Sequence, residues 1–312
     1  MSRKIVIDTD PGIDDAVAIL LALASPELEV LGIAAVAGNI PLALAERNAR
    51  SLCALAGRPE IPVYAGCSRP MGRALVTAEH VHGPSGLGSL LLPPPSAAGG
   101  AGHGVDFLID TVLREPPHTV TVCALGPLTN IGMALVKAPE IAGRMRELVL
   151  MGGASRALGN MTAAAEFNIY VDPHAADLAL ASGIPVTMVP LDLTHQVLTG
   201  PARLAPLAAL PNRCGRAVAE LLGPGAAQRS ARFAGPGLPL HDPCVIAWLL
   251  APELFDGDTV NVAVETASPL TLGMTVVDWC GRSGRPVNAR VLHGIDADGF
   301  YALLTDRLAA LP

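Results

Sequence analysis

The sequence predicts an α/β fold: a mainly parallel central sheet with helices on both faces and a small antiparallel extension at its C-terminal end. Three observations predict it. Short apolar runs alternate with longer segments of helical period from residue 4 to about residue 191, the pattern of strand–helix units feeding a parallel sheet. Those runs are apolar throughout rather than alternating, as strands covered on both faces require. After Asp256 the pattern changes to closely spaced strands.

Taken in order, Lys4–Ile7 reads as a strand and Asp14–Ala24 as a helix. Glu29–Ala35 is a strand and Pro41–Ala56 a helix. Val120–Ala124 is a strand followed by a helix over Leu128–Val136. Glu147–Met151 is a strand, Pro173–Ala181 a helix and Val186–Leu191 a strand. Val260–Glu265 and Thr271–Trp279 read as a hairpin, and Ala289–Leu292 as a further strand. Asp296 is placed to cap a final helix over Phe300–Leu311. Arg69–Gly88, Pro93–Gly104 and Gly223–Pro239, rich in Gly, Pro and small residues, read as loops rather than boundaries. No repeat is present, and residues 1–312 are expected to form one domain.

Composition narrows the function. Of the residues, 51% are hydrophobic and 16% charged, enough for a sizeable core and far from a disordered composition. The net charge of −7 and the lack of a basic tract argue against nucleic acid as a partner. Mean hydropathy is +0.44, yet the apolar run Ala16–Ala24 is far short of the roughly 20 residues a membrane span needs. MSRKIVIDTD is no signal peptide, so the expected location is cytoplasmic. The six cysteines form no CxxC pair and read as free thiols of a reducing compartment. The lysines are Lys4 and Lys137 alone, which disfavours Schiff-base and P-loop chemistry, and no GxxxxGK[ST] or strand-anchored GxGxxG occurs.

One stretch resists a purely structural reading. VIDTDPGIDDAVAI places Asp8 and Asp10 at a strand end, a Pro11-Gly12 turn, and Asp14 and Asp15 in the first turn of a helix. The helix N-terminus offsets part of the repulsion. Capping explains one or two aspartates, and four call for a bound hard cation, calcium or magnesium, with oxygen ligands. Further oxygens come from other strand ends. LPLHDPCVIAWLLAPELF sets Asp242 at an expected N-cap before Pro243, with His241 at the same helix mouth. ALGPLTN offers the Leu125 carbonyl and Asn130. GNMTAAAEFNIYVDP groups Asn160, Glu166 and Asn168 in one loop. All of these converge on the carboxyl edge of the sheet, where open α/β folds bind ligands.

Six segments together carry a resemblance: DTDPGIDDAVAI at 8–19, AVAGN at 35–39, GPLTNIGMAL at 126–135, LVLMGGA at 148–154, EFNIYVDPHAA at 166–176 and LHDPCVIAWLLAPELF at 240–255. In order and spacing, from residue 5 to about 305, the chain resembles the inosine–uridine-preferring nucleoside hydrolases. The resemblance implies their open, Rossmann-like fold and the hydrolysis of a ribonucleoside to ribose and free base, with Ca2+ as cofactor. By the same resemblance Asp10, Asp15 and Asp242 would ligate calcium, with the Leu125 carbonyl. Asp14 and Asn39 would hold the ribose diol with Asn168 beside them, Asn160 and Glu166 would face the 5′-hydroxyl, and Asp8 would brace the motif.

The implied chemistry is coherent. Breaking the C1′–N bond builds positive charge on the sugar, and an anionic pocket stabilises it. Calcium would acidify a bound water, and Asp10 is then the general base. His241 is the candidate for assisting the leaving base. His82, in HGPSGLG, is a candidate for reaching the base, where relatives often carry an acid. Met151 and Phe167, with Val36, are candidates for the apolar wall. The Gly223–Pro239 loop offers only Phe233, with Gln228, Arg229 and Arg232, where some relatives have tyrosines. Neither Trp248 nor Trp279 is placed to sandwich a purine, so pyrimidine or broad base preference is favoured. The family also implies a homodimer or homotetramer.

Three rival readings remain. A phosphatase with an Asp-x-Asp nucleophile would use Asp8, but needs a lysine that only the helical Lys137 supplies. A calcium-dependent nucleoside- or ribose-binding protein would keep the acids without turnover. A hydrolase of a modified nucleoside would share the chemistry and differ in its loops.

Overall fold

The computed structural model describes residues 2–95, 99–223 and 237–312. Strand β1 (Arg3–Thr9) lies between β2 (Leu28–Ala35) and β4 (Val120–Ala124), parallel to both. Beyond β2 lies β3 (Val63–Ala65). Beyond β4 follow β5 (Glu147–Met151), β6 (Val186–Val189) and β11 (Ala289–Ile295), all parallel. Two antiparallel strands finish that side, β9 (Phe255–Val264) on β11 and β10 (Thr275–Asp278) on β9. The expected antiparallel extension is therefore continuous with the main sheet, whose order is β10-β9-β11-β6-β5-β4-β1-β2-β3. A separate ribbon pairs β7 (Leu198–Thr199) with β8 (Leu238–Pro239).

Helices cover both faces, as the uniformly apolar strands require. Ile5 and Ile7 of β1 pack toward α1 (Ile13–Leu23), α2 (Leu42–Leu55), α10 (Arg213–Leu222), α11 (Pro243–Leu250) and α12 (Ala297–Ala309). Val6 packs the other way, toward α4 (Gly104–Arg114), α5 (Thr129–Lys137) and α7 (Pro173–Ala181). Every residue of α1 from Asp15 to Leu23 is buried. A helix that is apolar nearly all round is stable only when packed on every side, here by the sheet, α2 and α11. Among the described residues no helix is long and apolar enough to cross a membrane.

The structure moves several expected boundaries. The strand from Val186 stops at Val189, because Pro190 cannot donate to the ladder, and a helical turn, α8 (Leu191–Thr194), follows. Asp296 caps the last helix through Asp298 N and Gly299 N, and that helix begins at Ala297 rather than Phe300. The Arg69–Gly88 segment contains a turn of helix, α3 (Glu79–His82). The loop expected around Glu166 and Asn168 is instead the start of a short helix, α6 (Phe167–Val171), N-capped by Glu166. Phe233, Gln228, Arg229 and Arg232 lie outside the described residues.

Both lysines are used away from the acid cluster: Lys4 pairs with Glu115 at 2.5 Å, and Lys137 with Asp106. Neither is available to neutralise the aspartates at the opposite, carboxyl end of β1.

Candidate active site

The carboxyl ends of β1, β2, β4 and β5 open into a cavity of about 330 Å³. Asp14, Asn39, Leu125 and Asp242 line its floor side, while Met151, Asn160, Glu166, Phe167 and Asn168 come from the segment after β5. His82 and His241 complete the ring. Every expected substrate residue thus reaches one cavity. Asp10 and Asp15 lie beneath it, fully buried. Val36 is also buried and does not line the cavity. Trp248 packs edge-on against Phe255, and Trp279 donates to Ser155 Oγ, so neither reaches the cavity.

The chain around Asp10 is tightly specified. Its Oδ2 accepts from Asn39 N at 2.5 Å, while Oδ1 is buried without a hydrogen-bond partner. Gly38 and Gly126 press on the two oxygens: a Cβ at either position would collide with the Asp10 carboxylate. Asp15 is held by Thr9 Oγ1 (2.5 Å), Gly12 N (2.9 Å) and Asn39 Nδ2 (3.1 Å). Asn39 therefore donates to both buried acids. Asp8 Oδ2 accepts from Asn130 Nδ2 at 2.7 Å, and Asn130 also ties Ala35 O and Cys67 N, so this asparagine clamps the ends of β1 and β2.

Asp242 occupies the N-cap position of α11 with Pro243 in the first turn, as the sequence suggests, but its carboxylate makes no capping hydrogen bond. It instead joins Asp14 and Asp15, each offering an oxygen within 4.8 Å of the others. Opposite oxygens of a calcium shell lie about 5 Å apart, so this triple could hold such an ion. The triple includes Asp14 where the family resemblance puts Asp10; Asp10 is not one of the three, and its Oδ1 is buried without a hydrogen-bond partner.

The electrostatics show why a cation fits. Burial and the neighbouring Asp15 push the Asp10 carboxyl well above the carboxylate range, and burial raises Asp15 too, with Asp14 adding to it. Asp242 is raised by burial, then by Asp14, Asp15 and Asp10. Burial raises Asp8 to about 8. Among the described residues, no lysine or arginine is among the groups acting on these four acids. Buried like charges without a counter-ion are costly, and a hard divalent cation supplies the missing charge.

The remaining polar groups are largely committed to positioning. Glu166 Oε1 accepts from Asn168 N, and Oε2 from Gly153 N and Ile169 N; burial raises this acid to about 7. Asn160 Oδ1 accepts from Phe167 N at 2.8 Å. Asn168 Nδ2 donates to the Leu125 carbonyl at 2.8 Å and to the Met151 carbonyl at 3.1 Å. His82 Nδ1 accepts from Ile13 N at the mouth of α1, an approach that Gly12 permits because a Cβ there would strike the imidazole. His241 Nδ1 meets Thr194 Oγ1 at 2.7 Å, and burial lowers this imidazole to about 3.

Sequence reasoning missed His80, Val81, Thr199 and Leu240, which also line the cavity. The EHVH run carries a polar signal for His80, and Val81 lies between its two histidines. Nothing local marks Thr199 or Leu240, which arrive through the β7–β8 ribbon.

The glycine contacts give a direct expectation. Gly126→Ala should displace the Asp10 carboxylate and lower kcat by about 10²-fold, the usual cost of misplacing a reacting group by about 1 Å. Steady-state kinetics with a circular-dichroism check of folding would test it, and unchanged kcat would show that Asp10 is not fixed by this contact.

Comparison with known proteins agrees with the geometry. The sequence model of the family described as "Inosine-uridine preferring nucleoside hydrolase" matches residues 5–302. The chain is 53% identical over 309 residues to an uncharacterized protein of Schizosaccharomyces pombe, covering 99% of this chain and 100% of that one. It is 46% identical to a pyrimidine-specific ribonucleoside hydrolase RihA of a Shewanella species, covering 99% and 97%. Among solved structures, a purine-preferring ribonucleoside hydrolase from Gardnerella vaginalis superposes with a TM-score of 0.91 at 33% identity, covering 98% of each chain. A plant nucleoside hydrolase gives 0.92 at 32% identity, covering 99% and 100%. The chain belongs to the inosine–uridine-preferring nucleoside hydrolase family, enzymes that cleave the N-glycosidic bond of ribonucleosides.

Proposed function

We propose that this protein hydrolyses ribonucleosides to ribose and free base in a calcium-dependent reaction, with pyrimidine or broad base preference. The observation that carries the reading is the buried acid cluster, with no lysine or arginine acting on it among the described residues, under a nucleoside-sized cavity. Asp10, Asp15, Asp242 and the Leu125 carbonyl would hold the ion, with Asp14 within reach. When bound, the cation supplies the positive charge the acids lack, fixes a ribose diol and acidifies water.

The chain's own residues do the rest. Asp14 and Asn39 receive the 2′- and 3′-hydroxyls, with Asn168 beside them. Asn160, its Oδ1 occupied by Phe167 N, keeps its amide nitrogen for the 5′-hydroxyl, near Glu166. Asp10 takes the proton of the attacking water through its unpartnered Oδ1. The acids stabilise the positive charge developing on the sugar. Met151 and Phe167 supply apolar wall, and His82 and His241 face the base. His241, neutral in this environment, assists departure as a hydrogen-bond donor. Base preference is supported by the RihA relatives, named pyrimidine-specific, and by the distance of both tryptophans from the cavity.

The test is a chromatographic assay for free base with uridine, cytidine, inosine, adenosine and guanosine, in calcium and after exhaustive chelation. The expected result is base release that chelation abolishes, fastest with a pyrimidine. Nucleoside binding without release from any of the five would overturn the reading in favour of a binding protein or a modified substrate.

A further inference from the structure

Thr194 ends the helical turn that follows β6, and none of its surface is exposed. Its hydroxyl is cut off from water, so its proton needs an acceptor inside the protein. Among the described residues the one group within hydrogen-bond reach of Thr194 Oγ1 is His241 Nδ1, at 2.7 Å. A neutral imidazole has one protonated and one bare nitrogen. If Nδ1 carried the ring proton, it would donate to Oγ1 and the hydroxyl proton would be left buried and unpaired, at a cost of about 1–3 kcal/mol. With Nδ1 bare, the hydroxyl donates to it, both groups are satisfied, and the ring proton sits on Nε2. His241 lines the cavity, and Nε2 has no protein partner among the described residues.

We propose that Thr194 is a positioning residue that holds His241 in the Nε2–H tautomer, with its N–H aimed at the departing base. This rests on the hydrolase reading above and adds to it the origin of the donor. The acceptor on the base is a ring nitrogen or carbonyl oxygen next to the glycosidic nitrogen. As the C1′–N bond breaks, its electron pair leaves with the base and the water oxygen bonds to C1′. The proton lost by water to Asp10 balances the one the base finally gains. The Nε2–H bond stabilises the negative charge while the pair moves and need not itself break. His195, whose ring lies 6.1 Å from that of His241 at 60°, packs against it and further restricts its rotation.

Two measurements test the proposal separately from its parent. The first compares wild type, Thr194→Val and Thr194→Ser on the nucleoside cleaved fastest and on 4-nitrophenyl β-D-ribofuranoside, whose leaving group needs no assistance. Thr194→Val should lower kcat on the nucleoside about 10²-fold, within the range for proton-transfer groups, with KM shifted less than about threefold. It should leave the nitrophenyl riboside within about threefold of wild type, and Thr194→Ser should recover most of the loss. Equal losses on both substrates, or none on the nucleoside, would overturn the proposal. The second needs no turnover: long-range 1H–15N correlation on histidine-labelled protein reads each tautomer, with His241 assigned through His241→Gln. An Nε2–H form lost in Thr194→Val supports the proposal, and an Nδ1–H form in wild type refutes it even if every nucleoside proves inert.

Discussion

Asp10→Asn is expected to lower kcat by about 10³-fold while leaving the fold intact. The amide is isosteric with the carboxylate and still accepts from Asn39 N, so the local structure loses no hydrogen bond. What is lost is a base for the water proton and one negative charge beside the developing cation. The same substitution should raise the melting temperature of the metal-free protein near neutral pH, by about 2 °C or more, because an amide does not have to be held protonated on folding as the buried Asp10 carboxyl does. Opposite signs for activity and stability separate a functional acid from a structural one. An enzyme retaining activity within about tenfold of wild type would remove Asp10 from the mechanism.

Chelation should abolish turnover and make the protein's stability fall as pH rises. In the folded, metal-free chain the buried acids hold their protons to high pH: Glu166 to about 7, Asp8 to about 8, Asp10 and Asp242 well above the ordinary value. In the unfolded chain they ionise near pH 4. Between about pH 4 and 8 the unfolded state therefore binds fewer protons, and stability is lost with rising pH at about 1.4 kcal/mol per pH unit for each such group. Their contribution is fully present only below pH 4. Calcium binds the ionised carboxylates, so the stabilisation it brings should grow from pH 5.5 to pH 8. Differential scanning fluorimetry across this range would show it. A chelated protein whose melting temperature rose over the same interval would contradict the electrostatic account of the site.

The β1–α1 unit was legible in the sequence because two independent local signals coincide there. The apolar runs define the strand and helix, and the aspartates violate that pattern at a place where repulsion has to be compensated. Val120–Ala124, Glu147–Met151 and Pro173–Ala181 were legible for the first reason alone. The three-residue β3 was not, being too short to show a period, and α4 follows a Gly/Pro-rich stretch whose composition reads as loop. Asp242 could be nominated as an N-cap from the Asp-Pro pair, yet its turning away from capping is a tertiary effect, set by Asp14 and Asp15 more than two hundred residues away. The pairings of Thr194 with His241, His82 with the start of α1, and Gly38 and Gly126 with Asp10 are likewise long-range. No local spacing encodes them.

The strand order carries a consequence for how the molecule matures. β1, which with the turn after it and the start of α1 brings Asp8, Asp10, Asp14 and Asp15, is central, but β6 gains its second neighbour only from β11, near the end of the chain. Asp242 arrives between them. During synthesis the first acids emerge early and stay without their last companion until more than three-quarters of the polypeptide is made. High sequence separation between partners slows folding and lengthens the life of incomplete forms. Binding competence is thus a late event, and occupancy of the site reports that the whole chain, rather than its N-terminal half, has reached its native arrangement.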